Sequence, residues 1–169
     1  MKMLLLLLLS SPLISFSQDC KIKKQSDPYT KETKLSTGFK TFSGGLTRTL
    51  VSIDATKTDI EIIFSVNAGA EGKCFDNNST ATLLYEGGKL KGNFKNNSTM
   101  NCEGLFSITF RNVATTPTAL KNLASRKVLS IKLTGNAKQV TDLTLSEAEQ
   151  ELFKQMVTCL TDESKTLLQ

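Results

Sequence analysis

The chain has 169 residues, 39% hydrophobic and 22% charged, with 21 Lys and Arg against 16 Asp and Glu and a formal net charge of +5. That length supports one core but not two, and the absence of His removes Ser-His-Asp and Cys-His nucleophiles, HExxH zinc proteases and every His-ligated metal or haem site. The charge is too mild for a nucleic-acid partner: Lys21, Lys23 and Lys24 form a cluster without interleaved aromatics, and Lys89, Lys91 and Lys95 alternate along an expected strand.

At the start of the chain, Met1-Lys2-Met3 precedes an unbroken run from Leu4 to Leu9, and Ser15 and Ser17 occupy the small-residue positions of a cleavage site. The pattern predicts a signal peptide over residues 1–17, cleaved before Gln18. Its apolar stretch ends near Phe16, short of the roughly 20 residues that span a bilayer, so no transmembrane segment is expected after cleavage. Asp19 before Cys20 does not fit lipid attachment at that cysteine. Removal of residues 1–17 takes Lys2 and no acid, leaving 152 residues at +4. The expected location is secreted, periplasmic or cell-surface.

Residues 18–32 are polar and contain Asp27-Pro28, which reads as an irregular lead-in or an edge, ahead of a single domain over 33–169. Thr33 to Phe42 reads as a first strand ending at Gly44-Gly45. Leu46 to Asp54 and Asp59 to Asn67 follow, with a turn at Ala55 to Thr58; the second places Ile60, Ile62, Phe64 and Val66 on one face.

Ser79 to Glu86 and Lys89 to Lys95 flank Gly87-Gly88, a dipeptide suited to a two-residue turn with positive φ at both positions. The hairpin this implies sets Ala81 opposite Phe94, Leu83 opposite Gly92 and Tyr85 opposite Leu90 on an apolar face. Thr82 with Asn93, Leu84 with Lys91 and Glu86 with Lys89 fall on the other. Leu105 to Arg111 is a further strand with Phe106, Ile108 and Phe110 at alternate positions, and Lys127 to Thr134 supplies Leu129, Ile131 and Leu133. Between them, Pro117 at a first helical position and the spacing of Ala119, Leu120, Leu123 and Ala124 predict a two-turn helix over Thr118 to Ser125. A capping box at Ser146 and Glu149 opens a C-terminal helix over about 146–161, whose stripe is Leu152, Phe153, Met156, Val157, Cys159 and Leu160. Such a stripe, carrying a cysteine, is read as packing on a sheet.

Cys20, Cys74, Cys102 and Cys159 all follow the cleavage site, and an even count in an exported chain reads as two disulfides with three possible connectivities. The hairpin register chooses among them. Extended outward, it brings Cys74 level with Asn101, one residue from Cys102, and a bulge at Asp76-Asn77-Asn78 or Asn96-Asn97 would align the two sulfurs. Cys74 is therefore paired with Cys102, and Cys20 with Cys159 by elimination. No CxxC or CxH spacing suggests a cysteine metal site.

Seven strands and a terminal helix predict a mainly β fold: an antiparallel sandwich or small barrel with the helix packed on it. Lipocalin-like ligand barrels are the nearest named architecture in length, export and late helix, but their G-x-W signature is absent, because the chain has no Trp. Cleavage before Gln18, Cys74-Phe75-Asp76 running into a Gly-Gly hairpin, and a strand followed by a Cys-bearing helix at the end resemble small exported domains of Bacteroidetes-type bacteria. The resemblance implies an exported domain without an assigned activity.

For catalysis without histidine, the remaining option is a carboxylate pair drawn from Asp54, Asp59, Glu61 and Asp76. Each also reads as a turn-former or a solvent-facing strand residue. Asp76-Asn77-Asn78 lacks the spacing of a calcium loop. Asn77, Asn78, Asn96 and Asn97 satisfy N-x-S/T and would be glycan acceptors in a eukaryotic secretory chain. No catalytic residue, cofactor or metal ligand is assigned. The expectation is a non-enzymatic exported binding or structural module acting through a sheet face, an edge strand or loops. Its partner would be a protein, glycan or small apolar ligand. The alternative is a lipocalin-like small-molecule carrier, and a carboxylate-based hydrolase comes third.

Overall fold

Alternating apolar residues drive the chain into two antiparallel sheets. The computed structural model describes residues 21–44, 48–66 and 74–169. The expected signal peptide, its cleavage site, Cys20, Gly45, Leu46 and Asn67 lie outside the described residues. In chain order the strands are β1 (Lys23–Ser26), β2 (Thr33–Ser36), β3 (Lys40–Phe42), β4 (Thr49–Ala55), β5 (Asp59–Val66), β6 (Thr80–Tyr85), β7 (Lys91–Lys95), β8 (Leu105–Arg111), β9 (Val128–Thr134) and β10 (Val140–Thr144). Helix α1 (Thr118–Ser125) precedes β9, and α2 (Glu147–Glu163) follows β10. One sheet has the order β1-β2-β4-β5-β8, with β3 also on β4; the other has the order β10-β9-β6-β7. They form a sandwich and not a closed barrel.

The inner faces carry one continuous core. Ile60, Ile62, Phe64 and Val66 of β5 and Phe106, Ile108 and Phe110 of β8 are buried, as their period of two requires. They meet Ala81, Leu83 and Tyr85 of β6 and Ile131 and Leu133 of β9. Helix α2 packs against β4, β9 and α1, and its Phe153 ring meets Phe42 of β3 edge-on at 6.2 Å.

The β6–β7 ladder has the register read from the sequence, from Thr80 opposite Lys95 to Leu84 opposite Lys91. The turn differs: the Gly88 N–H donates to Tyr85 O at 3.1 Å and the Tyr85 N–H to Leu90 O at 3.1 Å. The loop is thus Glu86–Lys89 and not a two-residue turn, with Gly87 and Gly88 both at positive φ. At the outer end the register slips. Ser79 O still accepts from the Asn96 N–H, but the next pair is Phe75 with Asn101. Three residues (76–78) on one strand then face four (97–100) on the other, a bulge that places Cys74 level with Cys102, and these two form a disulfide.

Other expectations need correction. Thr33 to Phe42 is two strands, because Gly38 takes φ +65° and Thr37 bridges the gap, donating its N–H to Ile53 O (2.9 Å) while its Oγ1 accepts from the Ile53 N–H (3.0 Å). Of the two readings of residues 18–32, an irregular lead-in or an edge, Lys23–Ser26 takes the second as the edge strand β1 on β2. Leu129 leaves the core and Val128 enters it, because β9 bulges where Leu84 pairs with Ser130 and Tyr85 with Val128. Strand β10 was not anticipated. Only Thr141 and Leu143 of its five side chains are buried, too short an alternation to stand out. Pro117 is the N-cap of α1 and not its first helical residue.

The expected capping box opens α2. Burial alone would raise the Glu149 carboxyl, but donation from the Ser43 N–H (2.7 Å), the Ser146 N–H (2.9 Å) and Ser146 Oγ (2.8 Å) outweighs it and holds the group below its ordinary 4.5. A depressed carboxylate stabilises the fold above its unfolded pKa, and that contribution is lost as pH falls through the lower folded value. Glu149→Gln is accordingly expected to lower stability by about 1 kcal/mol at neutral pH. The difference should shrink as pH drops below about 4.5, which urea midpoints at pH 7 and pH 3 would measure. A constant difference would refute the ionic account.

Candidate binding groove

The solvent face of the six-stranded sheet is polar by the same alternation that makes its other face apolar. Its register sets Ser36 of β2 against Asp54 of β4, Asp54 against Glu61 of β5, and Glu61 against Thr109 of β8, a single row across four strands. Asp54 is 8% exposed and fully occupied. Ser36 Oγ (2.6 Å) and Ser52 Oγ (2.9 Å) donate to its Oδ1, and Lys34 Nζ lies 2.8 Å from its Oδ2. Such partners fix its orientation. Glu61 is half-buried beside it, and Asp59 Oδ2 accepts from Thr58 Oγ1 at 2.6 Å. Three of the four carboxylates considered from the sequence thus share one face. Asp76 stands apart: its Oδ1 accepts from the Asn78 N–H, the Ser79 N–H and Ser79 Oγ, each at 2.9 Å, so it is a turn-former.

A hollow of ≈ 300 Å³ lies along this row, lined by Lys34, Asp54, Thr56, Asp59, Glu61, Asn97 and Thr109. A second, of ≈ 390 Å³, shares Asp59, Asn97 and Thr109 and continues over Phe94, Lys95, Ile108, Phe110 and Arg111. The segment after β7 reaches β8 through Asn96 and Asn97, the Asn97 N–H donating to Ser107 O (2.9 Å), the Ser107 N–H to Asn96 Oδ1 (2.9 Å) and Asn97 Nδ2 to Thr109 Oγ1 (3.0 Å). Beside it, the rings of Phe94 and Phe110 meet edge-on at 5.7 Å. This pair sets aromatic surface next to polar groups. The partners Lys34, Ser36, Ser52, Asn97 and Thr109 were not foreseen from the sequence, because they come together from β2, β4, β8 and the segment after β7.

The remaining candidates sort as follows. Cys74 and Cys102 are bonded, and Cys159 is disulfide-bonded, its expected partner Cys20 lying outside the described residues. Asn77, Asn78 and Asn97 are exposed; Asn96 is buried. Lys89, Lys91 and Lys95 are exposed along β7 and its loop. Among the described residues, no group of three or more Asp, Glu or Cys is placed to hold a metal ion, and no helix is long and apolar enough to cross a membrane. No family model, curated protein or solved structure matches the chain.

Proposed function

We propose that this chain is an exported, non-catalytic binding module whose recognition surface is the groove running from the Asp54 row to the Phe94 and Phe110 pair. The observation that carries the reading is this continuous hollow. It joins fixed polar groups to an aromatic floor and is built on strands that the core holds rigid. The space between the sheets supports the same reading against a carrier, since it is filled by Ile62, Phe64, Phe75, Leu83 and Phe106, each at most 1% exposed. Asp54, with both oxygens engaged, is suited to hold a shape. Export rests on the leader-like first 17 residues, on the Cys74–Cys102 bridge and on the resemblance to exported bacterial domains.

The test is an amide-shift titration of the purified, oxidised protein with three pools: acidic peptides, neutral oligosaccharides and fatty acids. Shifts confined to Asn97, Thr109, Arg111 and the Asp54 row are expected with one of the first two pools. Shifts centred on Ile62 and Leu83 with fatty acids would favour a carrier. Turnover of an oligosaccharide that is lost in Glu61→Gln would favour a hydrolase. Either result would overturn the proposal.

A further inference from the structure

Backbone groups along β8 alternate between its neighbour β5 and the free edge. Gly104 O accepts from the Val66 N–H, and the Asn112 N–H donates to Thr58 O, so the even-numbered residues face β5. The odd-numbered residues face outward, and the first two are already occupied by asparagines. The Leu105 N–H donates to Asn101 Oδ1 (3.0 Å), and Leu105 O accepts from Asn101 Nδ2 (3.0 Å). Ser107 is satisfied in the same way by Asn96 and Asn97. Past that point the cover ends. Among the described residues, the outward N–H and C=O of Thr109 and Arg111 have no partner. They border the ≈ 390 Å³ hollow floored by Phe94 and Phe110.

We propose that this open stretch of edge, Thr109 to Arg111, binds an extended acidic peptide segment of a partner protein as an added strand; the inference rests on the groove being the recognition surface. An unpaired strand edge is complementary to another strand's backbone, which supplies the affinity. The alternation of an added strand supplies the pattern: every second side chain would lie over the Phe94 and Phe110 rings and the others outward. Charge selects acidic residues for the outward positions, because Arg111 and Lys95 flank the hollow and Lys91 stands farther along β7, all exposed, against Asp59 in its lining and Glu61 opposite Thr109. The other edges suit the role less well. Strand β1 is wholly exposed, and the ≈ 350 Å³ hollow beside its Gln25 and Ser26 has no aromatic lining and carries Asp27 and Glu32. On β10, the Gly44 backbone crowds Thr144 so closely that a Cβ at Gly44 would meet Thr144 O at 2.5 Å.

The probe is a pool of octapeptides with Asp or Glu at alternate positions and Val, Ile, Leu or Phe between them, added to the oxidised protein at millimolar concentration. Amide exchange at Thr109 and Arg111 should slow, with shifts at Phe94 and Phe110. N-methylation of alternate peptide amides, and the double variant Lys95→Glu with Arg111→Glu, should each weaken binding by about tenfold or more. Thr109→Pro, which removes one outward donor at an edge where proline is tolerated, should abolish protection at Arg111 while the circular dichroism stays unchanged. Several outcomes would overturn the proposal: no protection of these two amides with the pool, equal binding of the N-methylated pool, or protection that tracks protein concentration without peptide, which would mean a second copy occupies the edge. If the peptide pool fails while oligosaccharides shift the Asp54 row, this inference falls and the binding-module reading stands; if neither pool shifts the groove, both fall.

Discussion

Phe106→Ala is expected to lower the stability of the fold by about 3–5 kcal/mol, the range for deleting a fully buried aromatic side chain. The ring is 0% exposed and stands edge-on to two others, Phe64 at 6.3 Å and Phe75 at 5.4 Å. Those contacts tie three separate pieces of chain together: β5, β8 and the segment leading out of the Cys74–Cys102 bridge. Because β8 and its neighbour β5 are already packed by Ile62, Phe64 and Ile108, few side chains are free to collapse into the space left behind. Guanidinium unfolding of the variant, with the slope unchanged, would measure the loss. A loss below about 1.5 kcal/mol would mean that the aromatic cluster repacks and that the site is plastic.

The second large effect is expected from Cys74→Ser with Cys102→Ser. The bridge joins residues separated by 28 positions, and constraining a loop of that length in the unfolded chain stabilises the fold by about 3.5 kcal/mol in the chain-entropy model. Neither sulfur sits deep in the core, Cys102 being exposed and Cys74 half-buried, so the two serines leave little buried polarity to confuse the measurement. The bridge also sits just beyond the bulge that shifts the β6–β7 register, which predicts a local signature in addition to the global one. Amides of Phe75 and Asn101, which bond each other across the strands at 2.8 and 2.9 Å, should exchange faster in the double variant than those of Ala81 and Phe94. A fall in midpoint without that local difference would assign the whole effect to the unfolded state. A loss under about 1 kcal/mol would show that the asparagine network already fixes this end of the hairpin.

What could be read ahead of the structure divides along a physical line. The β6–β7 register, the Cys74–Cys102 pairing that follows from it, the α2 capping box and the faces of β5 and β8 are all local: each depends on residues within one hairpin or one element. Val128 replacing Leu129 in the core depends on a bulge set by a strand distant in sequence, and the split at Gly38 depends on where Ile53 of β4 falls. The Asp54 row was half-legible. The acids stand close in sequence, and a hairpin turning at Ala55 to Thr58 is enough to set Asp54 near Glu61. Lys34, Asn97, Thr109 and the ring pair Phe94–Phe110 could not be placed this way, since they join the groove only once two sheets of non-neighbouring strands are assembled.

The position of β6 has a kinetic meaning. It pairs with β7 across a four-residue loop, but its other neighbour, β9, arrives only after β7, β8 and α1 have been laid down. Closing that longer connection is the slower step, because chain entropy is lost before the ladder rewards it. Until it closes, the hairpin presents Ala81, Leu83 and Tyr85 to water alongside a bare strand edge. The Cys74–Cys102 bridge encloses only the hairpin, so it can form before β9 docks and hold β6 in register while the second sheet waits for its centre.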